Sequence, residues 1–179
     1  KLTSPETADF CMKFYEKIGK VPIRVGSRYG YAIDPIFEGI FLAALKMADA
    51  GVATHKEIDA VARKVLGLGI GPFTAMNLTG GTPLTKVGLA NYTGKIMPWY
   101  EAPESMNRTS PWPAAARGET VDVPAETFEK VAAHLQGAFF GIVAEVLESG
   151  ITNVSDLDMA VEIGLVMKAP FRMMNKVGV

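Results

Sequence analysis

Few side chains in this chain of 179 residues could carry out acid–base or metal chemistry. His55 and His134 are the two histidines, and histidine is the residue whose ordinary pKa lies near neutrality. Neither has a cysteine, a second histidine or a group of carboxylates at the spacing of metal ligands. We therefore predict no metal site, an exposed His55 beside a helix cap, and a His134 that packs at the edge of a helix.

Two further motifs have a chemical and a structural interpretation. Gly67, Gly69 and Gly71 alternate with other residues, as in part of a phosphate-binding turn, but a dinucleotide fingerprint must follow a strand and open a long helix. This motif follows a helical pattern, so we favour helix termination and a tight turn. Asp59 and Asp158 stand at matching places in two similar segments, and we predict a structural role for both on the helix surface.

The composition is that of an ordinary globular protein, with 49% hydrophobic and 21% charged residues and a formal net charge of -1. Because the charges are spread along the sequence, we expect neither a nucleic-acid partner nor a membrane partner. The single cysteine, Cys11, excludes an intramolecular disulfide and indicates a cytoplasmic protein. His134, Gln136 and Glu145 interrupt the longest apolar stretch, so no segment is expected to span a bilayer.

The N-terminal part, residues 1–27, has the pattern of one helix followed by one strand. Ser4 and Pro5 form a helix start, and Gly19 is a helix stop. Val21, Ile23 and Val25 then alternate as in a short strand. One strand cannot make a sheet, and Lys1 is not an initiator methionine, so we expect an α/β domain to precede this segment.

The rest of the chain is mainly α-helical in pattern, with a first helical unit at 28–81 and a second at 125–179. Pro35 and Gly51 bound one long helix, Thr54 and Glu57 form a capping box, and Pro72 opens a short helix. Between the two units, residues 82–124 have no helical periodicity, and we predict a long connection whose aromatic residues pack on the helices. Its prolines are Pro83, Pro98, Pro103, Pro111, Pro113 and Pro124, and its tryptophans are Trp99 and Trp112.

The two helical units resemble each other, which indicates an internal duplication. Ala50-Gly51-Val52 corresponds to Ser149-Gly150-Ile151, Thr54 to Asn153, Ile58-Asp59 to Leu157-Asp158, Gly71-Pro72-Phe73 to Ala169-Pro170-Phe171, and Gly80 to Gly178. Two copies of one unit are expected to pack their long helices together around a pseudo-two-fold axis.

Two segments carry a resemblance to a known family: Ile18 to Asp34, which reads IGKVPIRVGSRYGYAID, and Ala50 to Phe73, which includes AGVATHKEID and ends in GPF. They resemble the 3-hydroxyacyl-CoA dehydrogenase family. The resemblance covers most of residues 3–80, recurs weakly over 128–179 and includes no part of 82–124. It implies a duplicated helical C-terminal domain, similar to the C-terminal fold of 6-phosphogluconate dehydrogenase, which follows the last helix-strand unit of an NAD-binding domain.

The resemblance also implies a function and a site. In that family, NAD and the catalytic His-Glu pair belong to the preceding domain, so we expect neither a cofactor site nor a catalytic residue in this chain. The helical part forms one wall of the cleft that holds the acyl-CoA substrate and usually mediates dimerisation. A family asparagine that positions the substrate corresponds to Asp34, which is the one substrate-binding residue that we predict.

Two alternatives remain open at this point. The chain could be a non-catalytic helical interaction module of the same fold, since fold alone does not establish activity. It could also belong to a dehydrogenase that acts on a free β-hydroxy acid.

Overall fold

The computed structural model describes residues 3–79 and 82–179, and it is mainly helical as expected. Eight α helices lie within those residues: α1 (Pro5–Lys17), α2 (Asp34–Asp49), α3 (His55–Leu66), α4 (Pro72–Leu78), α5 (Thr82–Lys95), α6 (Ala125–Glu148), α7 (Val154–Gly164) and α8 (Pro170–Val177). Two short 3-10 helices, Pro98–Tyr100 and Glu104–Met106, follow α5. Gly80, which the repeat matches with Gly178, lies outside the described residues.

The helix starts form where the sequence places hydrogen-bonding side chains. Ser4 accepts a hydrogen bond from the backbone N–H of Thr7, which caps α1. Thr54 and Glu57 form the predicted capping box of α3. Asn153 caps α7 by accepting from the N–H of Asp156. Each of these side chains satisfies a backbone donor that the first helical turn leaves free.

The predicted connection over 82–124 is wrong in its first part, because residues 82–95 form helix α5. Pro83 lies in the first turn, where a missing N–H costs nothing, and the two glycines of α5 are tolerated inside it. Apolar residues of α5 are spread almost evenly around the helix, so the sequence has no apolar periodicity that would predict this helix. The aromatic residues after it pack as predicted, with Tyr100 fully buried and Trp112 nearly so.

The strand predicted at Val21–Val25 does not form, and no strand occurs in residues 3–79 and 82–179. A strand needs a neighbouring strand to satisfy its backbone groups, and the described part of the chain offers none. The next residue, Gly26, donates its N–H to the carbonyl of Ile151 in the second half of the chain instead. Apolar alternation alone was not a sufficient signal.

The core is built around the packing of α2 against α6. Gly39 of α2 allows the close approach, because a Cβ atom there would overlap the side chain of Ile142 of α6. Helix α3 also packs on α6. The fully buried side chains that fill this core include Ile36, Ile40, Leu42, Leu45, Ile58, Leu66, Phe73, Met76, Leu135 and Phe139.

The two helical units share local features, but their packing is unequal. Asp59 accepts from the N–H of Phe73, and Asp158 accepts from the N–H of Phe171, at 2.8 and 2.9 Å. Helix α3 packs closely on α6, whereas α7 makes no comparable contact with α2. The duplication therefore stays a prediction.

The C-terminal end of α3 is held by the second half of the chain. The N–H of Lys168 donates to the carbonyl of Leu66, and its ammonium donates to the carbonyls of Lys64 and Val65, each at 2.8 Å. These are carbonyls of the last helical turn, which have no partner within the helix. A residue 102 positions after Leu66 thus acts as its cap.

Helix α6 is long and apolar enough to cross a membrane, and it is the one such helix in the part of the chain described. The expectation that no segment spans a bilayer therefore stays a prediction. One such helix is weak evidence for a membrane, because core helices of globular proteins have the same properties. Val131, Leu135 and Phe139 of α6 are fully buried in the core.

Candidate functional site

The candidate site lies where the N-terminal turn of α2 meets α5. Asp34 is the first residue of α2, and Glu38 follows one turn later, so the two carboxylates share one helix face. Burial raises the pKa of Asp34 above the ordinary value of 3.8. Glu38 lies deeper, against α5, so the site has one carboxylate at the helix start and a second one behind it.

Glu38 is held directly against the backbone of α5. A Cβ atom at Gly88 would overlap the Glu38 carboxylate, so this glycine makes room for it. Oxygen Oε2 is shielded from solvent and receives no hydrogen bond. Burial, with a smaller contribution from the charge of Asp34, raises the pKa of Glu38 from 4.5 to about 7. Glu38 can therefore exchange a proton near neutral pH.

Two tyrosine rings lie beside the carboxylates. Tyr92 of α5 packs edge-to-face on Tyr29, with ring centroids 5.0 Å apart. Gly30 has a φ of 71°, and a Cβ atom there would overlap the Tyr92 hydroxyl. Burial, followed by the charge of Glu38, raises the pKa of Tyr92, so its phenol stays neutral. The ammonium of Lys95 lies 4.2 Å from the centroid of Tyr29, on the ring face that attracts cations.

The floor of the site is fixed by buried contacts. The hydroxyl of Tyr100 donates to the carbonyl of Pro35 at 3.3 Å. Arg28 forms two hydrogen bonds of 3.0 Å with the carboxylate of Glu145 on α6. Because two parallel hydrogen bonds fix the orientation of the guanidinium as well as its distance from the carboxylate, they hold the segment with Tyr29 and Gly30 against α6. The arrangement can attract a cation or accept hydrogen bonds from a ligand.

A family comparison identifies the segment that contains this site. Residues 30–118 match the family described as 3-hydroxyacyl-CoA dehydrogenase, C-terminal domain. This segment is a 3-hydroxyacyl-CoA dehydrogenase C-terminal domain. The match contains Asp34, Glu38 and Tyr92. It also runs through α5 to residue 118, so the expectation that the resemblance includes no part of 82–124 is wrong.

Relatives of this 3-hydroxyacyl-CoA dehydrogenase C-terminal domain are named L-carnitine dehydrogenase. The chain is 33% identical to the protein of Bacillus cereus over 116 residues, which is 60% of the chain and 35% of that protein. It is 33% identical over 107 residues to the protein of Burkholderia mallei, covering 56% of the chain and 32% of the relative. The Pseudomonas aeruginosa protein is 30% identical over 106 residues, 56% of the chain and 33% of the relative. The chain spans about a third of the length of these relatives.

The other polar residues singled out in the sequence lie away from Asp34. His55 is half-buried rather than exposed, because its ring packs on Phe73 and Trp112 with centroids at 4.5 and 5.6 Å. Burial lowers the pKa of His55, which favours the neutral imidazole. His134 is exposed on α6, and its Nδ1 atom lies 2.8 Å from the carbonyl oxygen of Lys130.

The prediction that Asp59 lies on the helix surface is wrong. Asp59 is 3% exposed and accepts hydrogen bonds from the N–H groups of Phe73 and Thr74 and from the Thr74 hydroxyl. These bonds cap α4, so its role is structural but buried. A Cβ atom at Gly71 would overlap Asp59. Gly67 takes the left-handed conformation as the C-cap of α3, and these two glycines thus serve helix ends.

Sequence reasoning missed Glu38, Tyr29 and Tyr92 in this dehydrogenase domain. The spacing of Asp34 and Glu38, four residues apart in a helical pattern, was the signal that could have revealed the second carboxylate. No comparable signal existed for Tyr92, because it lies in the helix that the sequence did not predict.

Proposed function

We propose that this chain is the helical substrate-side domain of an NAD-dependent dehydrogenase that oxidises a 3-hydroxy acid to the 3-oxo acid. The family match over residues 30–118 is the observation that carries the proposal. In the reaction, the C3 carbon loses a hydride to NAD⁺ and its hydroxyl loses a proton, which gives the 3-oxo acid, NADH and H⁺. The preceding NAD-binding domain supplies the hydride acceptor and the base, and this chain supplies a wall of the substrate cleft.

The names of the relatives favour a free hydroxy acid over a CoA thioester. L-carnitine is a 3-hydroxy acid that carries a quaternary ammonium group and no thioester. Two carboxylates, Asp34 and Glu38, suit a cationic substrate better than an anionic CoA. We therefore propose a free 3-hydroxy acid as the substrate, with a 3-hydroxyacyl-CoA as the second candidate. Asp34 is the residue that we assign to direct substrate contact.

Helix α1 supports the proposal of a preceding domain. None of its residues is buried, yet it presents Phe10, Phe14 and Tyr15 to solvent at 67%, 47% and 47% exposure. The three rings pack on one another, with centroid distances of 6.2 and 5.4 Å. A contiguous aromatic surface of this kind marks an interface. We assign it to the NAD-binding domain and therefore expect the cofactor on the α1 side.

We also propose that the domain pairs with a second copy of itself. A cavity of 560 Å³ opens between α2, α6 and Trp99, and apolar residues form most of its lining. Gly137 and Gly141 of α6 border it, and a Cβ atom at either would meet open space. Light scattering tests the pairing: Gly141→Arg should give a monomer if this face is the dimer contact, and a monomeric unaltered protein would exclude it.

The activity test uses the protein made from its complete reading frame. NADH formation is measured with L-carnitine, 3-hydroxybutyrate and 3-hydroxybutyryl-CoA. We expect turnover of L-carnitine, and a loss of at least tenfold in kcat/KM in Asp34→Ala, which is about 1.4 kcal/mol of transition-state binding. Asp156→Ala, a change of a carboxylate on α7, is the control. Turnover of the CoA thioester alone would reverse the order of substrates, and no turnover of any of them would favour a non-catalytic interaction module.

A further inference from the structure

The side chain of Glu38 lacks the partners that a shielded carboxylate ordinarily has. Its Oε2 atom is out of contact with solvent and accepts no hydrogen bond. No ion pair joins Glu38 or Asp34 to a basic residue within residues 3–79 and 82–179. Shielded polar groups are nearly always paired, so an exception in a folded protein calls for a reason.

Two glycines make room for Glu38 and for its neighbour Tyr92. A Cβ atom at Gly88 would overlap the carboxylate, and one at Gly30 would overlap the Tyr92 hydroxyl. Helix α5 and the segment before α2 therefore approach each other only because both positions lack a side chain. The approach places Glu38 beside Tyr92 and one helical turn behind Asp34.

The two carboxylates near the start of α2 favour a positive charge. The carboxylates of Asp34 and Glu38 carry or can carry negative charge, and the face of Tyr29 already holds the ammonium of Lys95 at 4.2 Å. A quaternary ammonium has no N–H to donate, so proteins recognise it by aromatic faces and nearby negative charge. The shielding of Glu38 also reduces the screening of its charge by salt.

We propose that Glu38 is a specificity-determining residue, whose carboxylate acts with Asp34 to select a substrate that carries a fixed positive charge next to its 3-hydroxyl group. The inference rests on the proposed function and adds the residue that sets the preference. Glu38 acts through space, from behind Asp34, and takes no part in the hydride transfer.

The test compares a charged and an uncharged substrate in one variant. Glu38→Gln keeps the shape of the side chain and removes the negative charge, so KM is measured at about pH 8, above the pKa of about 7, where the Glu38 side chain is mostly ionised. We expect KM for L-carnitine to rise about tenfold, which corresponds to ~1.4 kcal/mol, while KM for 3-hydroxybutyrate and kcat for both substrates change less than about twofold. Glu126→Gln, an exposed carboxylate of α6, is the matched control and should leave both KM values unchanged.

Gly88→Ala is a second variant, because it displaces the carboxylate without removing its charge. It should raise KM for L-carnitine in the same direction, with far-UV circular dichroism showing that the helices persist. Equal changes in KM for the two substrates, or no change for L-carnitine in Glu38→Gln, would overturn the inference. Such a result leaves the proposed function intact, since that depends on turnover of a 3-hydroxy acid by the unaltered protein.

Calorimetric titration with choline gives a readout that does not depend on turnover. The unaltered protein should bind choline, and Glu38→Gln should bind it about tenfold more weakly at low ionic strength. Absence of choline binding to the unaltered protein at millimolar concentration would refute the cation preference even if the dehydrogenase is active.

Discussion

Replacement of Asp59 by asparagine tests how much the buried cap of α4 contributes to stability. The Oδ1 atom accepts from the Phe73 N–H at 2.8 Å, and Oδ2 accepts from the Thr74 N–H at 3.0 Å and the Thr74 hydroxyl at 2.7 Å. Asparagine has the same shape but only one acceptor oxygen. In either orientation of the amide, one backbone N–H faces an NH₂ group and loses its acceptor: the buried one of Phe73 or the half-buried one of Thr74.

The cost follows from that lost acceptor. A buried donor left without a partner costs about 1–3 kcal/mol, and the charge-assisted character of the remaining bonds is lost as well. Burial raises the pKa of Asp59, which means that the protein already bears a cost for its charge, and the neutral amide recovers part of it. We therefore expect Asp59→Asn to lower the free energy of unfolding by about 2 kcal/mol.

Asp158 offers a matched control in the second half of the chain. It is half-buried and accepts one backbone hydrogen bond, from the Phe171 N–H at 2.9 Å. An amide oxygen can replace that acceptor, so Asp158→Asn should cost about 0.5 kcal/mol. Urea denaturation of both variants at neutral pH, followed by circular dichroism, measures the difference. Equal losses in the two variants, or an Asp59→Asn protein as stable as the unaltered one, would refute the role assigned to the buried cap.

Three further predictions concern the contacts that support the candidate site. Arg28→Met leaves the Glu145 carboxylate without its partner and should lower the free energy of unfolding by about 2–3 kcal/mol. Glu145→Gln should cause a smaller loss, and the double variant should lose less than the sum of the two single variants. A double-mutant cycle in urea measures these differences. Glu38 holds its proton more tightly in the folded protein, where its pKa is about 7, than at its ordinary pKa of 4.5. Stability should therefore fall as pH rises from about 4.5 to 7, by about 1–2 kcal/mol after allowance for its partial exposure, and Glu38→Gln should remove this slope from a series of urea midpoints. Gly30→Ala should cost about 2–3 kcal/mol, because Gly30 has a φ of 71° and the added methyl would overlap Tyr92. Gly94→Ala in α5, where a Cβ atom meets nothing within 4 Å, should instead raise the melting temperature slightly, and destabilisation by both changes would contradict the distinction.

Helix boundaries were predictable where a single side chain determines them. Ser4, Thr54 and Asn153 each bond to a backbone N–H three residues later, which is a local event that the sequence displays directly. Helix α5 was not predictable in this way. Its stability comes from packing against α2 and the 3-10 helix at Pro98–Tyr100, and the contacts with α2 join residues that are far apart in the chain.

Among the residues that form the candidate site, the sequence predicted one. Asp34 came from the family resemblance, and the structure places it at the start of α2. Glu38 becomes notable only when Gly88 and Tyr92 lie against it, and these belong to the helix that the sequence did not reveal. The strand predicted at Val21–Val25 failed for the opposite reason, since a correct local pattern had no partner among the described residues.

The Lys168 cap on α3 shows that the folded unit extends beyond the segment that matches the family. The match ends at residue 118, before α6 begins at Ala125. A chain truncated at 118 would expose the carbonyls at the end of α3 and the face of α2 that packs on α6. We therefore expect that the matched segment does not fold by itself, and that both halves are needed to present Asp34 and Glu38 in their observed geometry.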